Sequence, residues 1–133
     1  MSDEPNRSIL LVDDNESVLA QELEIVKKLG LPVQTATGGA AALKLVLLEK
    51  PFLVLLDLVM PDMEGDKVCE FIKKREDMDG VSVIMVTGRD SPEDLQRCFR
   101  CGCDAYITKP IDFADLKEKV ELVLSERGME LAG

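Results

Sequence analysis

Asp13, Asp14, Asp57, Thr87 and Lys109 each stand just past a short apolar run. The runs are Ser-Ile-Leu-Leu-Val before the aspartate pair, Phe-Leu-Val-Leu-Leu before Asp57, Val81 to Val86 before Thr87, and Asp104 to Ile107 ahead of Thr108-Lys109-Pro110. Brought to one place, three carboxylates repel one another and raise their own pKa values unless a cation neutralises them. Oxygen donors alone, in a chain without histidine, suit a hard ion, and a shallow site that keeps waters suits Mg²⁺. Lys109 and the Thr87 hydroxyl add a cation and a hydrogen-bond donor. A carboxylate in that company is equipped to accept a phosphoryl group, because metal and lysine offset charge on the equatorial oxygens of the transition state. Taken singly, each residue has an ordinary use: Asp-Asp caps a helix, Thr makes a turn, Lys before Pro is solvated. Five of them at the ends of four strands, all on one edge, make the signal.

The elements between these residues say how they are positioned. An apolar run as unbroken as Phe52 to Leu56, between Pro51 and a turn, reads as a strand buried on both faces. Ser8 to Val12 is a second such strand, and Pro32 to Ala36 and Asp104 to Ile107 are shorter ones. The first helix follows an Asn15 cap, carries Val18, Leu19, Leu23, Val26 and Leu29 on one face, and stops at Gly30. Thr37 is the predicted N-cap of a helix over Gly38 to Glu49, closed by Pro51. A third helix spans Gly65 to Arg75 with Val68, Phe71 and Ile72 facing inward, followed by a polar loop over Asp77 to Gly80. Ser91-Pro92-Glu93-Asp94 starts a fourth, with Leu95, Cys98 and Phe99 as its apolar side and Gly102 as its stop. Asp112 caps the last, whose Leu116, Val120, Val123 and Leu124 share a face before Gly128.

Strand then helix, five times over with short connections, folds as a three-layer α/β sandwich around a parallel sheet. In the flavodoxin-like strand order 2-1-3-4-5 the switch point lies between the first and third strands, at their carboxyl ends. Asp13, Asp14 and Asp57 then share one pocket. The expected layout is a disordered leader over residues 1–7, one domain over 8–127 and a short tail over 128–133.

At 133 residues with a net charge of −10, the chain repels nucleic-acid phosphate, and its partners are expected to present basic or apolar patches. The N-terminus lacks the apolar core of a signal peptide, and no run is long enough to span a bilayer. The expectation is a cytoplasmic protein without membrane contact. The spacing of Cys98, Cys101 and Cys103 invites a zinc reading, but the remaining thiol, Cys69, falls on another predicted helix. Structural zinc wants four ligands, so small buried thiols are the better expectation.

In Ile-Leu-Leu-Val-Asp13-Asp14, in Leu-Leu-Asp57-Leu-Val-Met60-Pro61-Asp-Met-Glu-Gly65, in Val86-Thr87-Gly88 and in Tyr106-Ile-Thr-Lys109-Pro110, the chain resembles the receiver domain of two-component response regulators. The stand-alone, CheY-like type is nearest in layout, and the resemblance runs over about Arg7 to Arg127. It implies that Asp57 takes a phosphoryl group from the phosphohistidine of a sensor histidine kinase or phosphotransfer protein. It implies Mg²⁺ held in the Asp13–Asp14 pocket, directly by Asp14, Asp57 and the Val59 carbonyl, with Thr87 and Lys109 on the phosphoryl oxygens and a cis Lys109–Pro110 peptide. Tyr106 would be the switch aromatic, and the fourth helix, fifth strand and fifth helix the face read by a downstream protein. Such a protein is no enzyme in the ordinary sense; it catalyses its own phosphorylation and dephosphorylation, as a monomer or weak dimer. Fast-decaying relatives carry polar or acidic groups at the positions of Val59 and Arg89, which suggests a slow decay here.

Other readings are a pseudo-receiver that never takes phosphate, a receiver cut from a longer regulator, an aspartyl-phosphate enzyme and a flavin carrier. The enzyme reading wants a second acid where Val59 stands, and the flavin reading wants a Ser/Thr-rich phosphate loop where Asp13 and Asp14 stand.

Overall fold

The apolar runs that end at Asp13, Asp57 and Thr87 form the three central strands of a five-stranded parallel sheet. The computed structural model describes residues 6–88 and 91–128. Its elements alternate throughout: β1 (Asn6–Val12), α1 (Glu16–Val26), β2 (Val33–Ala36), α2 (Gly39–Glu49), β3 (Pro51–Asp57), α3 (Gly65–Lys74), β4 (Ser82–Thr87), α4 (Pro92–Arg100), β5 (Ala105–Thr108) and α5 (Phe113–Glu126). The sheet order is β2-β1-β3-β4-β5, so the fold is the flavodoxin-like sandwich.

Every residue of β3 and of β4 is buried, as a strand covered on both faces must be. Successive side chains go to opposite layers. Leu10, Val54, Leu56, Val83 and Met85 join one core with Val46, Val68, Ile72 and Cys98 from α2, α3 and α4. Ile9, Leu11, Leu53, Leu55 and Ile84 join the other with Leu19 and Val26 of α1 and Leu116, Val120 and Leu124 of α5. Truncating any one of these fully buried leucines to alanine costs about 2–5 kcal/mol. Along β1 and β3 the apolar run gives way at Asp13 and Asp57 to the polar edge.

Several local expectations need correction. Asn6 and Arg7 belong to β1, because their backbone continues the ladder toward Pro51; residues 1–5 and 129–133, the remainder of the expected leader and most of the tail, lie outside the described residues. Thr37 does not cap α2. Gly38 stands at its N-cap without a side-chain bond, and the amides of Gly39 and Ala40 donate instead to the Asp62 carboxylate, at 3.1 Å each. Pro51 opens β3 rather than closing α2, which ends on Lys50 in the left-handed region. Phe71 is 39% exposed, under the Arg75 guanidinium 5.4 Å from its ring. Phe99 is 67% exposed and meets Tyr106 edge-on at 5.8 Å. Each ring stands one position from a buried residue of its helix, Phe71 before Ile72 and Phe99 after Cys98, so a 100° turn carries it outward. A 3-10 turn over Glu76–Met78 runs into the expected Asp77–Gly80 loop and buries Met78. β5 starts one residue late because Asp104 turns in to accept the Val83 amide at 2.7 Å and to pair with Lys73.

The cysteines are free thiols. Cys69, despite its different helix, donates to the Cys101 carbonyl at 3.4 Å, and Cys101 and Cys103 both donate to the Cys98 carbonyl, at 3.0 and 2.9 Å. They serve the last turn of α4, where carbonyls lack intrahelical partners, and burial pushes the Cys98 thiol up to about 11.

Candidate functional site

The carboxyl ends of β1, β3, β4 and β5 bring the singled-out residues to one edge. Carboxylate oxygens of Asp13, Asp14 and Asp57 all lie within 4.8 Å of one another. Asp13 is 1% exposed and Asp57 8% exposed, whereas Asp14 faces out. The two buried aspartates are delivered by strand ladders: the Asp13 amide donates to the Ala36 carbonyl of β2, and Asp57 pairs in register with Val86 of β4.

Lys109 reaches the cluster from the end of β5, its amide held by the Thr87 carbonyl at 2.8 Å. Its ammonium donates to Asp13 Oδ2 at 2.7 Å and stands 3.5 Å from Asp57 Oδ1. Thr87 is buried at the end of β4, and the Lys109–Pro110 peptide is cis. Burial disfavours the Lys109 ammonium, but the Asp13 hydrogen bond and the charges of Asp57 and Asp13 outweigh it and hold its pKa high. Asp57 shows the opposite balance. Burial lifts it to about 6, Lys109 opposing and Asp13 adding to the rise.

The loop after Asp57 is fixed at both ends. The Leu58 amide donates to the Val86 carbonyl at 3.3 Å, and the Gly65 amide returns to the Leu58 carbonyl at 2.7 Å. Gly65 is required there, since a Cβ would fall 1.9 Å from the Asp57 carbonyl oxygen. Arg97 of α4 grips the far side of this loop, forked onto Asp66 at 2.9 and 3.2 Å and reaching Glu64 at 2.8 Å. Val59 lies in the loop with its side chain partly exposed. Arg89, the other position expected to bear on decay, is outside the described residues. Tyr106, half-buried under Phe99, lines a groove of about 460 Å³ with Ile107, Lys119 and Leu122.

Two residues of this edge escape a reading of the sequence. Glu22 of α1 is buried, and its carboxyl hydrogen-bonds Asp13; burial lifts it to about 7, Lys109 opposing and Asp13 adding. The signal was an acid placed between Leu19 and Val26 on the apolar face of its helix. Asp62 is the other, a loop acid that caps a helix 23 residues back in the chain.

The donor set fits a hard divalent cation. Three clustered carboxylates have one ammonium among them, and Asp57 resists ionisation without further positive charge. A doubly wound sheet with an acidic pocket, a lysine and a buried hydroxyl at its switch point defines a phosphoacceptor type of signalling domain. Known proteins give the family. The profile of the response regulator receiver domain matches residues 9–121, and the chain belongs to that family.

It is 33% identical over 119 residues to the alkaline phosphatase synthesis transcriptional regulatory protein PhoP of Bacillus subtilis, covering 90% of this chain and 49% of that protein. It is 36% identical over 121 residues to the sensory transduction protein RegX3 of Mycobacterium tuberculosis, covering 91% and 52%. The chain thus spans about half the length of these curated relatives. Among solved structures, a CheY-like response regulator receiver domain protein of Methanospirillum hungatei superposes with a TM-score of 0.81 at 36% identity, over 92% of this chain and 96% of that one. Among the described residues, no helix is long and apolar enough to cross a membrane.

Proposed function

We propose that Asp57 accepts a phosphoryl group from the phosphohistidine of a sensor kinase or phosphotransfer protein. The Asp57 carboxylate attacks phosphorus, the P–N bond to the donor imidazole breaks, and the new P–O bond leaves an aspartyl phosphate. The observation that carries this is Asp57 at the tip of β3 with Asp13, Asp14 and Lys109 around it. Asp13 and Asp14 would hold Mg²⁺ with Asp57 and the Val59 carbonyl. Bound there, the ion would neutralise the clustered carboxylates and charge on the phosphoryl oxygens. Lys109 supplies a donor to one of those oxygens and the Thr87 hydroxyl another.

Thr87, drawn toward the phosphoryl group, would free space for Tyr106 to move inward. The α4–β5–α5 face, with its groove under Phe99 and Leu122, would report that change to a protein partner. A net charge of −10 argues against direct contact with nucleic acid. The chain would act in the cytoplasm as a monomer or weak dimer, and it would catalyse only its own phosphorylation and dephosphorylation.

Incubation with acetyl phosphate and Mg²⁺ tests the reading by intact mass. Wild type should gain one phosphate, lose the gain in EDTA, and fail to gain it as Asp57→Asn. Equal labelling of Asp57→Asn would sink the assignment.

A further inference from the structure

We propose that Asp62 is a positioning residue for the metal pocket: by capping α2 it fastens the loop between β3 and α3 that carries the Val59 carbonyl. The inference rests on reading this edge as an Mg²⁺-dependent phosphoacceptor site. Between Leu58 and Gly65, whose mutual hydrogen bond closes the loop, the backbone swings out over α2. The first amides of α2 have no intrahelical acceptor, and neither Thr37 nor Gly38 supplies one. Asp62 does so from the loop, Oδ1 to the Gly39 amide and Oδ2 to the Ala40 amide, each at 3.1 Å. Those two donors hold its pKa below the ordinary carboxylate value, so at neutral pH it is charged and accepts both bonds.

A second observation shows how closely the loop is seated. A Cβ on Gly38 would lie 3.0 Å from Asp62 Oδ2, and a Cβ on Gly39 would lie 2.8 Å from Met63 Cβ. The start of α2 is bare so that the loop can rest on it. On its other side the loop is held by Arg97 through Glu64. Asp62 is the tie nearest Val59 on its C-terminal side. Release it, and the Val59 carbonyl is fixed only from Leu58 and from the far end. A ligand supplied by backbone cannot be corrected by a side-chain rotation; its place is set by whatever holds the loop. The capping bonds thus act on the metal through Val59, without Asp62 touching it.

Mg²⁺ affinity by titration calorimetry on the full chain, with melting temperatures in EDTA alongside, tests this. Asp62→Ala should bind Mg²⁺ about tenfold more weakly, the low end of the loss expected when an outer-shell support is removed. Asp62→Asn loses the same charge and keeps only one of the two acceptor oxygens, since its Nδ2 can only donate, and should bind more weakly than wild type but more tightly than Asp62→Ala. Gly39→Ala, which alters no charge, should weaken binding by pushing Met63 away. Asp112→Ala, which removes the equivalent cap of α5, should lower the melting temperature and leave Mg²⁺ affinity alone. Wild-type affinity in Asp62→Ala would overturn the proposal, leaving Asp62 a simple cap. So would a Gly39→Ala that binds Mg²⁺ as wild type does while Asp62→Ala does not, since charge and not the seating of the loop would then be responsible. If wild type itself bound no Mg²⁺, the phosphoacceptor reading would fall and this inference with it.

Discussion

Replacing Asp57 by asparagine keeps the shape of the side chain and takes one charge from the crowded edge. The structure says how much that charge costs. Asp57 is lifted from its ordinary 3.8 to about 6, chiefly because burial penalises the ionised form. A difference of about two pH units between folded and unfolded chains amounts to about 3 kcal/mol at most. The sign follows from which state holds the proton. Below about pH 4 Asp57 is protonated in both states and the charge costs nothing. Between about pH 4 and 6 the folded chain keeps a proton that the unfolded chain has lost, so wild-type stability falls as pH rises. Above about pH 6 the full penalty applies. Asp57→Asn has no such titration, so in EDTA it should be more stable than wild type by about 1–3 kcal/mol at pH 8 and nearly equal at pH 4. Urea unfolding at several pH values reads the difference directly. In millimolar Mg²⁺ the advantage should shrink or reverse, since an ion that binds the native acidic cluster stabilises wild type more than the variant. A variant no more stable than wild type at pH 8, or equally favoured at pH 4 and pH 8, would refute the reasoning.

Gly65→Ala should cost more than about 2 kcal/mol, an overpacking penalty, because the new methyl group would meet the Asp57 carbonyl at 1.9 Å; a wild-type melting temperature would show that the loop yields freely. Val59→Asn should shorten the life of the phosphorylated protein by about three- to tenfold, since an amide beside Asp57 can orient an attacking water and valine cannot; the decay of label after donor removal measures it.

The strands and their order were legible because burial on both faces leaves an unbroken apolar run, as in Phe52 to Leu56, and little else produces one. The gathering of side chains at one edge was legible for a related reason: Asp13, Asp57, Thr87 and Lys109 stand where such runs stop. What escaped depends on contacts far apart in sequence. Thr37 is a reasonable cap by local rules, yet Asp62 arrives from the loop after β3 and takes the amides first. Glu22 breaks the apolar face of α1, and only the fold shows that the break points at Asp13. Phe71 and Phe99 were placed inward by residue type. The helix turn decides otherwise, and the rings meet the Arg75 guanidinium and Tyr106 instead.

Lys109 joins these observations. Its ammonium lies 2.7 Å from Asp13 and 3.5 Å from Asp57, so its shortest bond is to the buried aspartate that is not the proposed acceptor. Glu22 faces that same aspartate, and with its pKa raised to about 7 it tends to hold a proton against Asp13 rather than add a fourth full charge. Both groups are thus engaged in balancing Asp13. Lys109 becomes available to an oxygen on Asp57 to the extent that other positive charge takes over at Asp13 and Asp14. Metal affinity and phosphoryl binding should therefore be coupled through the one lysine, each strengthening the other. The apparent luxury of three acids facing a single ammonium is what makes that coupling possible: with fewer acids, Lys109 could satisfy Asp57 unaided and the pocket would have little use for a divalent ion.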